Sequence, residues 1–306
     1  MRIEGSITAL ATPFTAAGDV DLAAWKRLLD AQLAAGTQAL VVAGSTGEAA
    51  ALDDGEFEQL LSVAVTHVGG RVPVLAGTGM QSTARTVAQT RRAQACGANA
   101  ALVVTPPYVR PTQAGLLVHF AHVAEQGGLP VVLYNVPSRT GSDLLPDTVA
   151  QLRVHPQIVG IKEARAEPAR MRDLVGLKDE RFTVLSGDDP TAAAAMLDGA
   201  DGVISVASNV IPRTFRRLCD AARGGDRAGT AAIEAGLPEL LAFLAVEPNP
   251  IPVKALLAAT GIGTGLRLPL LPLSPQHART AATMTTACAS LEAAALAAPA
   301  QPHLAA

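Results

Sequence analysis

Lysine, tyrosine and cysteine are scarce in this chain. The 24 basic residues include only four lysines, Lys26, Lys162, Lys178 and Lys254, and there are two tyrosines, Tyr108 and Tyr134. The three cysteines, Cys96, Cys219 and Cys288, are odd in number and far apart. That excludes a disulfide framework and a cysteine-rich metal site, and predicts reduced thiols in a cytoplasmic protein. No charge of one sign dominates: the formal net charge is -3 with the signs mixed, so no basic stripe points to nucleic acid and no basic amphipathic segment to a membrane surface. The segment Met1 to Phe14 carries Glu4 and Pro13 rather than a charged-then-apolar leader, and no signal peptide or transmembrane span is expected.

What is present is a rhythm. Short, continuous runs of aliphatic residues recur at Ile7 to Leu10, Ala39 to Ala43, Val72 to Ala76, Ala100 to Val104, Pro130 to Tyr134, Ile158 to Ile161, Phe182 to Leu185 and Gly202 to Val206. Continuous rather than alternating runs suit parallel strands buried on both faces. Helical patterns lie between most of them. Leu22, Trp25, Leu28, Leu29 and Leu33 share one face before Gly36, Asp53 with Glu56 reads as a capping box, and Asp189-Pro190 reads as a helix entry. Eight strand-loop-helix units by about residue 225 predict an α/β fold, a (β/α)8 TIM barrel spanning 1–225. A doubly wound open sheet is the competing fold, but it usually has fewer strands and often a glycine-rich first turn, which is missing here. Residues 226–298 show helical segments only, about Thr230 to Leu244, Ile251 to Thr260 and Ser274 to Leu296. They are expected to form a C-terminal helical extension, with 299–306 as a flexible Ala-rich tail.

Barrel chemistry sits on the loops after the strands. Those loops carry Gly44-Ser45-Thr46-Gly47-Glu48, then Tyr108 and Arg110, then Tyr134 to Gly141, then Lys162-Glu163, then Ser186-Gly187-Asp188-Asp189. Both tyrosines and one of the four lysines therefore share one rim. Lys162 closes an apolar run, so its stem is expected to enter an apolar mouth. Desolvation there favours the neutral amine, the form that attacks a ketone to make an imine. The alternative is a structural ion pair with Glu163 or an aspartate across the rim. Tyr134, at the matching place on the preceding strand, offers a hydroxyl for proton transfer, or is a core tyrosine with a satisfied hydroxyl. Ser45-Thr46-Gly47 can form an anion nest, although glycine-flanked turns are common. Arg139 can hold a carboxylate in a fork or make a surface ion pair. Tyr108, in a proline-flanked loop, reads by itself as a packing or interface residue. Lys254 starts a helix beyond the barrel, and Lys26 and Lys178 read as solvated.

The segments Tyr134-Asn135-Val136-Pro137-Ser138-Arg139-Thr140-Gly141, Gly160-Ile161-Lys162-Glu163, Leu185-Ser186-Gly187-Asp188-Asp189, Gly202-Val203-Ile204-Ser205-Val206 and Glu247 to Lys254 resemble the dihydrodipicolinate synthase family, within the N-acetylneuraminate lyase superfamily. The resemblance runs from about Ile3 to Leu273. It implies that Lys162 forms an imine with pyruvate and that Tyr134 transfers protons beside it. Thr46 and Tyr108 would complete a relay, Tyr108 entering from a neighbouring subunit of a homotetramer built as a dimer of dimers. Ser45 and Thr46 would bind the pyruvate carboxylate, and Arg139 the carboxylate of L-aspartate 4-semialdehyde. Gly187 and Ile204 would line the pocket through backbone atoms. No metal or organic cofactor is implied.

Two departures bear on substrate and regulation. The turn reads Gly44-Ser45-Thr46-Gly47-Glu48-Ala49, where the synthases usually have threonine at the second position and serine at the sixth. Serine keeps the hydroxyl, and it is also the usual spelling in sialic acid lyases. Arg139 and the segment Tyr108 to Gln113 follow the synthase pattern instead. Around the interface pocket of lysine-inhibited relatives, the matching positions are Ala49, Asp54, Phe57, Gln81, Arg85 and Pro107. An arginine where a carboxylate would receive an ammonium is repulsive, so weak or absent lysine feedback is expected. Other Schiff-base pyruvate lyases share Lys162 and Tyr134. A phosphate-dependent barrel aldolase would need a basic, glycine-rich loop where Ser186 to Asp189 stands. A catalytically silent keto-acid sensor would form no covalent adduct.

Overall fold

The structure is a computed structural model and describes residues 2–298. Strand β1 (Gly5–Ala9) leads to α1 (Leu22–Ala35), β2 (Ala39–Val42) to α2 (Asp54–Val68), β3 (Val74–Gly77) to α3 (Thr83–Ala95), and β4 (Ala100–Val104) to α4 (Gln113–Gln126). Then β5 (Val131–Asn135) is followed by the single turn α5 (Pro137–Thr140) and α6 (Pro146–Leu152), β6 (Ile158–Glu163) by α7 (Pro168–Val175), β7 (Thr183–Ser186) by α8 (Ala192–Leu197), and β8 (Gly202–Ser205) by α9 (Pro212–Arg223). All neighbours pair in parallel, and β8 closes on β1 through Gly5–Gly202 to Thr8–Ser205, giving the expected TIM barrel.

The continuous apolar strands divide by pleat into two cores. Ile7, Val41, Leu75, Leu102, Val132, Tyr134, Leu185 and Ile204 point into the barrel, while Val42, Val103, Leu133, Ile161, Val184 and Val203 meet the helices. Helix α2 begins at the expected capping box: Asp53 accepts from the Glu56 N–H, and the Glu56 carboxylate from the Asp53 N–H. Asp189-Pro190 opens one 3-10 turn before α8.

The C-terminal extension comprises α10 (Arg227–Glu234), α11 (Pro238–Leu244), α12 (Ile251–Ala259) and α13 (Ala278–Ala297). The single segment expected from Thr230 to Leu244 is two helices, because Pro238 lacks the N–H that would continue α10 and instead starts α11 at its first turn. The extension docks on the barrel: Glu292 of α13 accepts hydrogen bonds from the Arg213 and Thr214 N–H groups that open α9. The expected tail, 299–306, lies outside the described residues.

Candidate active site

Strand β6 runs two residues further than its apolar run implied and carries both Lys162 and Glu163. Its aim depends on an irregularity. Val131 pairs with Ile158, but Val132 pairs with Gly160, so β6 holds one extra residue. Ile158 and Ile161 consequently both face the helices, three positions apart, which a regular strand of period two does not allow. Beyond the bulge the alternation places Lys162 inside the barrel and Glu163 outside it. Without the extra residue the two would exchange faces.

Tyr134 is the direct register partner of Lys162. Both are buried, and the Lys162 ammonium nitrogen sits 4.5 Å from the Tyr134 ring centroid, an electrostatically favourable cation-on-ring contact. Gly187, one residue beyond β7, covers the lysine stem. A Cβ there would lie 2.7 Å from Lys162 Cε, so the site requires glycine for close approach. Ile204 is buried on the inner face of β8.

The ion pair between Lys162 and Glu163 does not form. On the outer face, the Glu163 carboxylate accepts from Asn135 Nδ2 at 3.1 and 3.0 Å and from the Arg165 N–H at 2.9 Å. Burial raises its pKa to about 7. Asn135 follows Tyr134 as Glu163 follows Lys162, so this bond ties the two strands together directly behind the two candidate catalytic residues. Across the rim, Asp189 Oδ2 accepts from the Val206 and Ala207 N–H groups, and burial raises its pKa against the opposing field of Lys162.

The Ser45–Thr46 turn is conformationally demanding. Among the described residues, the non-glycine positions with positive φ are Ala43 (53°) and Glu48 (52°), flanking this turn, and Tyr108 (75°) and Arg110 (49°) in the loop after β4. Such conformations concentrate where surrounding structure over-determines a functional loop. Thr46 is buried and its Oγ1 accepts from Asn249 Nδ2 at 3.0 Å, while Ser45 is partly exposed. Glu48 forms a buried ion pair with Lys254, whose ammonium also lies 4.3 Å from the Phe14 ring centroid, and Glu48 Oε2 accepts from the Arg267 N–H. Burial lowers the Lys254 pKa, against the opposing pull of Glu48. Lys254 is therefore a structural lysine clamping the turn, a role its position after the barrel did not reveal.

Arg139, on α5, is exposed and donates to the Asn249 carbonyl at 3.1 Å. Tyr108 is 90% exposed and points outward, so within one chain it does not complete the mouth. Lys26 and Lys178 are both exposed, and Lys178 donates to the Gly199 carbonyl and lies 3.3 Å from Asp201. Among the positions matched to a lysine pocket, Phe57 is buried in the core between the strands and the helices. Arg85 is exposed. A cavity of about 830 Å³ opens at the other end of the barrel, beside Arg2, Gln38, Arg71 and Arg216, away from the C-terminal strand ends that carry barrel chemistry. Among the described residues, no group of three or more His, Cys, Asp or Glu side chains is placed to share a metal ion, and no helix is long and apolar enough to cross a membrane.

This geometry agrees with what the chain is similar to. The dihydrodipicolinate synthetase family profile matches residues 2–287. The chain belongs to this family. It is accordingly a lyase-type enzyme. A 4-hydroxy-tetrahydrodipicolinate synthase from Xanthomonas axonopodis pv. citri is 64% identical over 293 residues, covering 96% of this chain and 97% of the relative. Among solved structures, the dihydrodipicolinate synthase of Acinetobacter baumannii, described as chloride-inhibited and complexed with pyruvate, superposes with a TM-score of 0.91 at 39% identity, covering 94% and 99% of the two chains. A monomeric dihydrodipicolinate synthase variant gives the same TM-score and identity, covering 94% and 97%. Asn249, the Glu48–Lys254 pair and the Asn135–Glu163 pair were missed by sequence reasoning as site-forming residues. The recognisable segments Tyr134 to Gly141, Gly160 to Glu163 and Glu247 to Lys254 contain most of them, but their contacts reach across the fold.

Proposed function

We propose that the enzyme condenses pyruvate with L-aspartate 4-semialdehyde to give 4-hydroxy-tetrahydrodipicolinate, through an imine on Lys162. The observation that carries this reading is a buried lysine, free of an ion pair among the described residues, lying over Tyr134 at the C-terminal mouth of the barrel. The neutral amine adds to the pyruvate ketone and water leaves, with Tyr134 moving the protons of carbinolamine formation and dehydration. Loss of a methyl proton gives the enamine, whose carbon forms the new bond to the aldehyde. The amino group of the second substrate then displaces the Lys162 amine and closes the ring, regenerating the enzyme. The chemistry requires no metal or organic cofactor.

In this reading Ser45 and Thr46 bind the pyruvate carboxylate, and Gly187 and Ile204 wall the pocket. Arg139 fixes the carboxylate of the aldehyde. Tyr108 serves the relay of a neighbouring subunit in a cytoplasmic homotetramer, consistent with its exposure and positive φ. Arg85 opposes an incoming ammonium, so lysine feedback is weak. An inhibition constant for lysine below about a millimolar, where binding supplies roughly 4 kcal/mol, would contradict it.

The deciding experiment is borohydride reduction with pyruvate, followed by mass analysis of the Lys162 peptide, alongside a coupled assay of condensation. An adduct together with rapid condensation supports the synthase. Ser45, spelled as in sialic acid lyases, favours a second reading: an adduct without condensation, with pyruvate released from N-acetylneuraminate or a keto-deoxy sugar acid, would move the enzyme to that branch.

A further inference from the structure

Asn249 lies outside the barrel in sequence, in the segment leading into α12, yet it touches two parts of the mouth. Its Nδ2 donates to Thr46 Oγ1 at 3.0 Å, and its main-chain carbonyl accepts from Arg139 Nη2 at 3.1 Å. Its own Oδ1 is enclosed and has no hydrogen-bond partner. A buried acceptor left unpaired is destabilising, so the side chain is held in this orientation by what Nδ2 does and not by satisfaction of the whole amide. A threonine hydroxyl has one proton and two lone pairs. Once it accepts from Asn249, its proton is directed to another acceptor, and a carboxylate in the adjoining turn is an acceptor of the right kind.

We propose that Asn249 is a positioning residue that sets Thr46 as a hydrogen-bond donor toward the carboxylate of the keto acid, so that the C-terminal extension tunes the anion site of the barrel. The proposal rests on the reading that the Ser45–Thr46 turn binds pyruvate. Asn249→Leu removes both the donor and the unpartnered acceptor. It should leave the melting temperature unchanged or raised, while kcat/KM for pyruvate and the rate of borohydride trapping fall about tenfold. Asn249→Asp should be worse than Asn249→Leu at neutral pH, because a carboxylate draws the Thr46 proton toward itself. Its activity should recover in part as the pH is lowered and the new side chain becomes a donor. A merely structural asparagine gives neither that order nor that pH dependence.

The test is a double-mutant cycle with Thr46→Val, each protein measured for melting temperature, pyruvate trapping and pyruvate KM. In the Thr46→Val background the Asn249 substitutions should have almost no further effect on trapping, the non-additivity expected of residues acting as one unit. If the wild type traps pyruvate and the Asn249 variants trap it equally fast, or if the losses in the cycle simply add, the proposal is overturned while the imine reading stands. If the wild type forms no adduct at all, the imine reading falls and takes this proposal with it.

Discussion

Two buried lysines in this molecule have nearly the same surroundings and different roles. Lys162 lies 4.5 Å from the centroid of Tyr134, and Lys254 lies 4.3 Å from that of Phe14. Both are almost inaccessible to solvent, at 5% and 6%. The difference is a carboxylate. Glu48 closes on Lys254, whereas Glu163, the acid adjacent to Lys162 in sequence, lies on the opposite face of the strand by its alternation, and the β6 bulge decides that Lys162 is the one that points inward. Burial alone therefore does not mark a nucleophile. A carboxylate paired with a buried lysine opposes the loss of its proton, and a buried lysine without such a carboxylate, lying over a tyrosine ring, is placed to react.

Exchanging or removing the two lysines breaks this comparison most sharply. Lys162→Ala should abolish pyruvate trapping and lower turnover by at least about a thousandfold, the scale of losing a covalent nucleophile, with little change in melting temperature. Lys254→Ala should do the reverse. It strands Glu48 in the interior and should cost about 3–5 kcal/mol of unfolding free energy in denaturant titration. The folded fraction should still trap pyruvate on Lys162. Trapping lost in both variants, or a Lys254→Ala protein as stable as wild type, would remove the distinction between the two sites.

The next effect sharpens the geometry at Lys162. Gly187→Ala places a methyl group 2.7 Å from Lys162 Cε. The lysine must shift, and a displacement of the order of an ångström at a reacting centre costs about a hundredfold in rate. Turnover measured beside an unchanged circular dichroism spectrum would check this. A fully active variant would mean that the lysine stem has room the structure does not show.

The pattern of this barrel was legible in the chain because parallel strands buried on both faces leave uninterrupted apolar runs, and all eight runs lie within two residues of the observed strands. Lys162, Tyr134 and Gly187 were legible too, since the rule that chemistry follows the strands applies to each locally. What could not be read was set by long-range pairing. The run Ile158-Val159-Gly160-Ile161 looks the same with or without a bulge. The extra residue is visible only when Val131 and Val132 choose partners two residues apart on β6. Asn249 meets Thr46 across a separation of 203 residues, and Lys254 meets Glu48 across 206.

The smallest expected effect concerns the outer face behind the same two strands. Glu163 has an ordinary carboxylate value of 4.5, raised by burial to about 7 in the folded chain. Asn135, the Arg165 N–H and the Arg170 guanidinium at 3.9 Å oppose the rise, and Asp143 adds to it. Between these two values the folded state binds more protons than the unfolded state, so stability falls as pH rises. The contribution is fully present below about pH 4.5 and is lost as pH passes through about 7. Its span is on the order of 2 kcal/mol, allowing for relaxation of the buried site. Glu163→Gln keeps the shape and removes the titration, so the stability of wild type relative to this variant should decline between pH 5 and pH 8 in urea unfolding. A difference that is flat with pH, or that grows, would mean the carboxylate is already ionised and held by its donors. The Asn135–Glu163 tie would then be a charge-assisted bond stiffening the strands behind Lys162, and breaking it should lower turnover more than stability.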